Sequence, residues 1–271
     1  MKLYKANIIF TREKDHFEVV EHGYVGVENG RVVDVASSAD AFGVQPEEVI
    51  DYGNSLLIPA MNDMHVHAGQ YRNQGISMDM ELLEWLNSYT FPEEAKYSDT
   101  RYARRMYSRF VHDLWRYGTM RTATFATTHL ESTRLLMELF REAGMGALVG
   151  KVNMDRNSID ALLESVDEAV ARNEALITEW NDPDGLVRPI ITPRFIPSCR
   201  QPCCGLVANR HKSTRCPCSL TCRRTWVKSP WCSSWSPRAV SMATPTTAMV
   251  SLGRPQPSWR TVSLVKAKSW N

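Results

Sequence analysis

Residues 200–271 contain no Asp or Glu and no Ile, Phe or Tyr, and residues 1–198 contain no cysteine. Each absence excludes something. Without cysteine the first two thirds of the chain cannot be a disulfide scaffold or a thiolate metal module. Without acid the last third has nothing to pair its basic side chains with. No run of 18 apolar residues exists, so no membrane-spanning helix is expected. The first residues, Met1 to Asn7, lack the pattern of a secretory leader, and a cytoplasmic protein is the expectation.

The formal net charge of +2 conceals these two regimes. All the acidic residues lie before residue 199, whereas 200–271 carries twelve Lys and Arg. All seven cysteines, from Cys199 to Cys232, and five of the eight Trp fall at or after 199. The cysteines include Cys203-Cys204 and Cys216-Pro217-Cys218 and form no paired C-x₂-C framework, so a zinc module is not expected. A basic nucleic-acid-binding tail is one reading of this segment. Out-of-frame translation is another, and the genetic code can test it. One permitted codon set for 215–225, read from its third nucleotide, gives Val-Pro-Val-Gln-Ser-His-Leu-Ser-Glu-Asn. The same shift over 240–253 permits Phe-Tyr-Gly-Asp-Ala-Tyr-Asp-Arg-Tyr-Gly-Leu-Phe-Gly. Acid, Tyr and Phe return where the written chain has none, so a frameshift near Cys199 is the expectation and 200–271 is expected to be irregular.

Before the break the chain reads as ordered. Residues 1–60 predict β structure: a strand at Lys5–Phe10, a hairpin turning at Asn29-Gly30, and a short strand at Glu48–Tyr52. A small β-sandwich part is expected there. From Leu56 the pattern alternates. The apolar run Leu56–Ala60 leads into His65 and His67; helices are expected over Glu81–Asn87, from an N-cap at Ser98 to Gly118, over Leu135–Phe140, and from a cap at Ser158. Strands are expected at Thr119–Thr127, Met145–Val152 and Leu186–Phe195. Alternating strands and helices imply parallel strands with right-handed crossovers. An eight-stranded α/β barrel needs about 250 residues; residues 61–199 supply four strands, the first half of one.

His65 and His67 sit at i and i+2, so both rings leave the same side of an extended segment. Two imidazoles so placed make half of a metal site, or two hydrogen-bonded strand histidines. His129, after the second strand, reads as structural. Arg101, Arg104, Arg105 and Arg109 read as a solvated helix face.

Pro59-Ala60-Met61-Asn62-Asp63-Met64-His65-Val66-His67-Ala68-Gly69 resembles the metal strand of the amidohydrolase superfamily, a (β/α)₈ TIM-barrel family. Gln70-Tyr71, the stretch Trp85 to Pro92, and Thr192-Pro193-Arg194-Phe195 resemble the guanine deaminases within it. The resemblance covers about residues 1–199. It implies Zn²⁺ held by His65 and His67, guanine as the small-molecule substrate, no nucleic acid or membrane partner, and a homodimer that the shortened chain is not expected to keep. It implies contacts to the purine from His67, Gln70, Arg194 and Phe195, with the Arg194 fork on O6 and N7. It also implies, on the fifth strand, a further histidine and an acid/base glutamate, then a histidine on the sixth strand and an aspartate on the eighth. None of these has a counterpart in the written chain, so no catalytic residue is assigned and no turnover is expected from it. A related nucleobase as substrate, or a non-enzymatic binding protein with a basic Cys/Trp tail, remain the competing readings.

Overall fold

The computed structural model describes residues 1–180, 182 and 185–200; the tail expectations for 201–271 lie outside the described residues. The described chain falls into two compact units, one of Met1–Met61 and one beginning at Asn62.

The first unit is a four-stranded sheet in the order β3-β2-β1-β4. Strand β1 (Lys2–Glu13) pairs antiparallel with β2 (His16–Glu28), which pairs antiparallel with β3 (Arg31–Ala36). The β2–β3 turn is the expected Asn29-Gly30, with φ of 50° and 74°. Two successive positive φ values define the mirror-image turn whose twist suits a hairpin, and Asn-Gly tolerates them best. Strand β4 (Glu48–Leu57) runs parallel to β1. Lys2 and Lys5 meet Glu48 and Asp51 across that pairing, at 2.6 and 2.9 Å.

The expected strand at Leu56–Ala60 is divided: Leu56 and Leu57 close β4, and β5 (Met61–His67) opens after a gap of three residues. Pro59 lies in the gap, and without an N–H it cannot extend a ladder.

The second unit alternates as the apolar pattern requires. After β5 come a 3₁₀ segment (Ala68–Asn73), then α1 (Leu82–Trp85) and α2 (Phe91–Ala95), joined by a π turn over Leu86–Thr90. The short helix expected at Glu81–Asn87 is thus part of a longer helical run. The π turn ends against Phe91-Pro92, where Pro92 has no N–H for a regular ladder. Helix α3 (Thr100–Arg116) is capped by Asp99, one residue beyond the expected Ser98. Ser98 Oγ is committed to the preceding helix, donating to the Ala95 carbonyl at 2.9 Å. The buried face of α3 is Ala103, Met106, Tyr107, Phe110 and Val111, and Arg101, Arg104, Arg105 and Arg109 are exposed, as the helical spacing predicts.

Strand β6 (Thr119–Phe125) and helix α4 (Leu130–Glu142) follow, then β7 (Gly146–Gly150) and β8 (Val152–Asn153). The next helix, α5 (Val166–Glu179), starts later than the expected cap at Ser158. Ser165 has Glu168 three residues on and forms a reciprocal capping box, whereas Ser158 has Ala161 there and can form none. Strands β9 (Val187–Pro189) and β10 (Thr192–Pro193) complete the order.

Strands β5, β6, β7 and β9 line up in sequence order in one sheet, with β6–β7 and β7–β9 parallel. Strands β8 and β10 form a second parallel pair. The third and fourth barrel strands, expected to be continuous, are therefore each interrupted, at Lys151 and at Ile190-Ile191. Beyond the interruptions the chain turns toward the carboxyl end of the sheet, where a parallel α/β sheet places its ligands. A cluster of Leu86, Phe91, Phe125, Val152, Met154, Leu162 and Phe195 fills the space beneath that end. Each large apolar side chain buried there contributes about 1.5–3 kcal/mol. Among the described residues β5 is an edge strand of its sheet, and each of its residues is exposed or half-buried.

Candidate active site

The two histidines leave the end of β5 together. Their ring centroids are 5.3 Å apart, and both rings lie against Phe125 of β6, at 4.9 Å for His65 and 4.4 Å for His67. The Asp63 carboxylate accepts from the His65 backbone N–H at 3.0 Å and braces the strand just before them. His67 is half-buried, yet its Nδ1 is fully enclosed and has no hydrogen-bond partner. Burial lowers the His67 pKa well below the ordinary 6.5, and the nearby Arg194 and His65 push it the same way. The ring is held neutral, with a lone pair available, which is the form a metal takes.

The 3₁₀ segment after β5 carries Gln70. A Cβ built on its neighbour Gly69 would lie 2.8 Å from Thr127 Cγ2 and 3.2 Å from Glu94 Cγ. Glycine at 69 is what lets the segment settle between β6's end and α2. Gln70 Nε2 then donates to Glu94 Oε1 at 3.2 Å.

Arg194 arrives from the far end of the unit. Its backbone N–H donates to the Asn153 carbonyl at 3.2 Å, and Asn153 Nδ2 donates to the Thr192 carbonyl at 3.1 Å, so the ends of β8 and β10 set its position. Its side chain is 3% exposed and meets Glu94, which is 0% exposed. Nη2 donates to Oε1 at 2.9 Å, and Nη1 donates to Oε2. The guanidinium also lies over the Phe91 ring, 5.3 Å from its centre. This is the bidentate, aromatic-backed geometry that suits Arg and not Lys.

His65, His67, Gln70 and Arg194 are therefore gathered at one end of the sheet. Phe195 packs in the apolar cluster with Phe91 and Phe125, as part of the wall. The Arg194 fork, expected to face substrate, is held along one edge by a carboxylate of the chain. Glu94 was missed by sequence reasoning. The motif Trp85 to Pro92 stops two residues short of it, and a lone glutamate on a helix carries no signal of burial. Lys151 and Glu164 were missed too. Both are enclosed, Nζ donates to Oε1 at 2.6 Å, and Arg172 Nη1 reaches Oε2 at 3.1 Å. His129 caps no donor of α4 through its ring, and its buried Nε2 has no partner.

The donor set fits a metal in part. His65 and His67 supply two imidazoles; among the described residues no group of three or more His, Cys, Asp or Glu gathers to hold one. No helix among them is long and apolar enough to cross a membrane.

A parallel α/β sheet with paired histidines at the end of its first strand defines a class, and the amidohydrolase family profile matches residues 56–204. The chain belongs to the amidohydrolase family. Within it, the chain is similar to guanine deaminases. It is 35% identical over 216 residues to guanine deaminase of Dictyostelium discoideum, covering 73% of this chain and 48% of that one. It is 39% identical over 150 residues to guanine deaminase of Escherichia coli K12, covering 55% of this chain and 34% of that one. Guanine deaminase from C. acetobutylicum, solved with guanine bound, superposes with a TM-score of 0.77 at 43% identity, covering 81% of this chain and 52% of that one. The chain spans about half the length of the guanine deaminases it matches.

Proposed function

We propose that the gene encodes a zinc-dependent guanine deaminase and that the 271-residue chain carries its first half. The observation that supports this reading is the meeting of Gln70 and Arg194 on one buried carboxylate, beside the neutral His67. His65 and His67 would hold the metal. Zinc held there supplies activation of water at neutral pH. Arg194 donates to the O6 and N7 acceptors of guanine, and Gln70 binds the purine edge with its amide. Phe125, Phe91 and Phe195 exclude water from beneath the ring. Addition of water at C2 and loss of the 2-amino group as ammonia gives xanthine. The hydrolysis needs a proton carrier between water and the departing ammonia. In this reading that group is the glutamate of His-Leu-Ser-Glu-Asn, which stands in the shifted frame. The end of the family match at residue 204, close to the change in composition at 199, supports a frameshift.

The test has two arms. The purified 271-residue chain, supplied with zinc, is expected to form no xanthine from guanine. A gene with the frame restored after codon 199 is expected to deaminate guanine and to lose zinc when His65 and His67 are replaced by Gln. Turnover by the 271-residue chain would overturn the truncated reading. A folded, zinc-loaded, frame-restored protein inactive on guanine would overturn the substrate.

A further inference from the structure

Glu94 is wholly enclosed, and it accepts from both side chains that the proposed function assigns to the purine. A carboxylate only accepts, so it draws the NH₂ end of Gln70 and turns the amide oxygen the other way. The same Oε1 takes an N–H of Arg194 Nη2 while Oε2 takes one of Nη1, which leaves the remaining guanidinium hydrogens along its other two edges. Without Glu94, Gln70 is half-buried on a short 3₁₀ segment and free to turn over. Gly69 packs close against Glu94 Cγ, and the Phe91 ring backs the guanidinium that the carboxylate holds.

We infer that Glu94 is a positioning residue that sets the donor and acceptor pattern of the purine site, and through it the preference for an oxo group over an amino group at position 6. This inference rests on the proposed function. Arg194 carries only N–H donors, and the clamp fixes the direction in which they face the purine. A 6-oxo purine meets them with acceptors, whereas a 6-amino purine opposes donor to donor. Replacing Glu94 by Gln removes one acceptor, frees part of the guanidinium and lets both amides flip. A hydrogen bond to a charged group is worth about 1.5–3 kcal/mol, so guanine affinity should fall about tenfold to a hundredfold.

The experiment is equilibrium dialysis of the full 271-residue chain against guanine and against 2,6-diaminopurine. The proteins are the parent, Glu94→Gln, Glu94→Asp, Arg194→Met and the Glu94→Gln/Arg194→Met double variant. Near-ultraviolet circular dichroism reports the fold of each. The expected result is a parent that prefers guanine and a Glu94→Gln variant that binds it at least tenfold more weakly with the preference narrowed. Glu94→Asp should keep the preference at reduced affinity, so it tests the idea even where Glu94→Gln does not fold. The double variant should lose less than the sum of the two single losses, because the Arg194 half of the clamp is absent in both. A folded Glu94→Gln with parental affinity and preference would overturn the inference and leave the proposed function standing. So would losses that simply add in the double variant. A folded parent that binds neither base would overturn the inference, while the proposed function stands or falls with the frame-restored enzyme.

Discussion

Replacing Lys151 by Met should destabilise the second unit at neutral pH and much less in acid. Lys151 and Glu164 are 0% and 1% exposed, and their contact at 2.6 Å compensates two desolvated charges. Removing one partner of a buried pair ordinarily costs about 3–5 kcal/mol, because the other charge is stranded. Here the cost has a ceiling. Glu164 can take up a proton instead, and from its ordinary value of 4.5 that costs about 3.4 kcal/mol at pH 7 and about 0.7 kcal/mol at pH 5. Arg172, 3.1 Å away and partly solvated, retains some of the attraction and holds the cost below that ceiling. A loss of about 2–3 kcal/mol at pH 7, shrinking below about 1 kcal/mol at pH 5, is expected. The sign follows from burial, which already raises the Glu164 pKa in the parent against the lowering by Lys151 and Arg172. A carboxylate raised in the folded state favours folding when protonated, and that stability is lost as pH rises through the folded pKa. Removing Lys151 raises it further, so the variant gains more than the parent on acidification. Urea unfolding of parent and variant at both pH values measures the difference. The Lys151→Met/Glu164→Leu double variant should recover most of the loss at pH 7. A penalty that stays constant between pH 7 and pH 5 would refute the reasoning, as would a loss under about 0.5 kcal/mol at pH 7.

Ser165→Ala should cost about 1 kcal/mol by removing the capping box with Glu168, seen as a lower urea midpoint at unchanged slope. Gly69→Ala pushes a methyl to 2.8 Å from Thr127 Cγ2 and 3.2 Å from Glu94 Cγ, so it should cost about 1–3 kcal/mol and weaken guanine binding; parental stability and binding together would show that the segment relaxes freely.

Much of the fold was legible because it rests on period and punctuation. The apolar spacing of α3, the Asn29-Gly30 turn and the β-branched run of β6 all formed near their expected places. The misses share a cause: local signals compete, and tertiary partners decide. Ser98 looked like a cap, but its hydroxyl was already engaged, so Asp99 took the role. Ser158 lost to Ser165 for want of a glutamate three residues on. In the site, His65, His67, Gln70 and Arg194 were legible through their motifs. Glu94 and Glu164 were not. What marks each is burial beside a basic side chain from another element, and no local pattern encodes that.

The Glu94–Arg194 pair joins residues 100 positions apart. Closing so long a loop costs about 4 kcal/mol of chain entropy before any contact repays it. On the ribosome, at 5–20 residues per second, Glu94 emerges about 5–20 s before its guanidinium. Until then its carboxylate has every reason to stay in water, and α2 cannot finish docking. Among the described residues of the second unit, one of the last to be synthesised thus completes one of the earliest, which makes assembly of this corner a late event and strand β10 its timer.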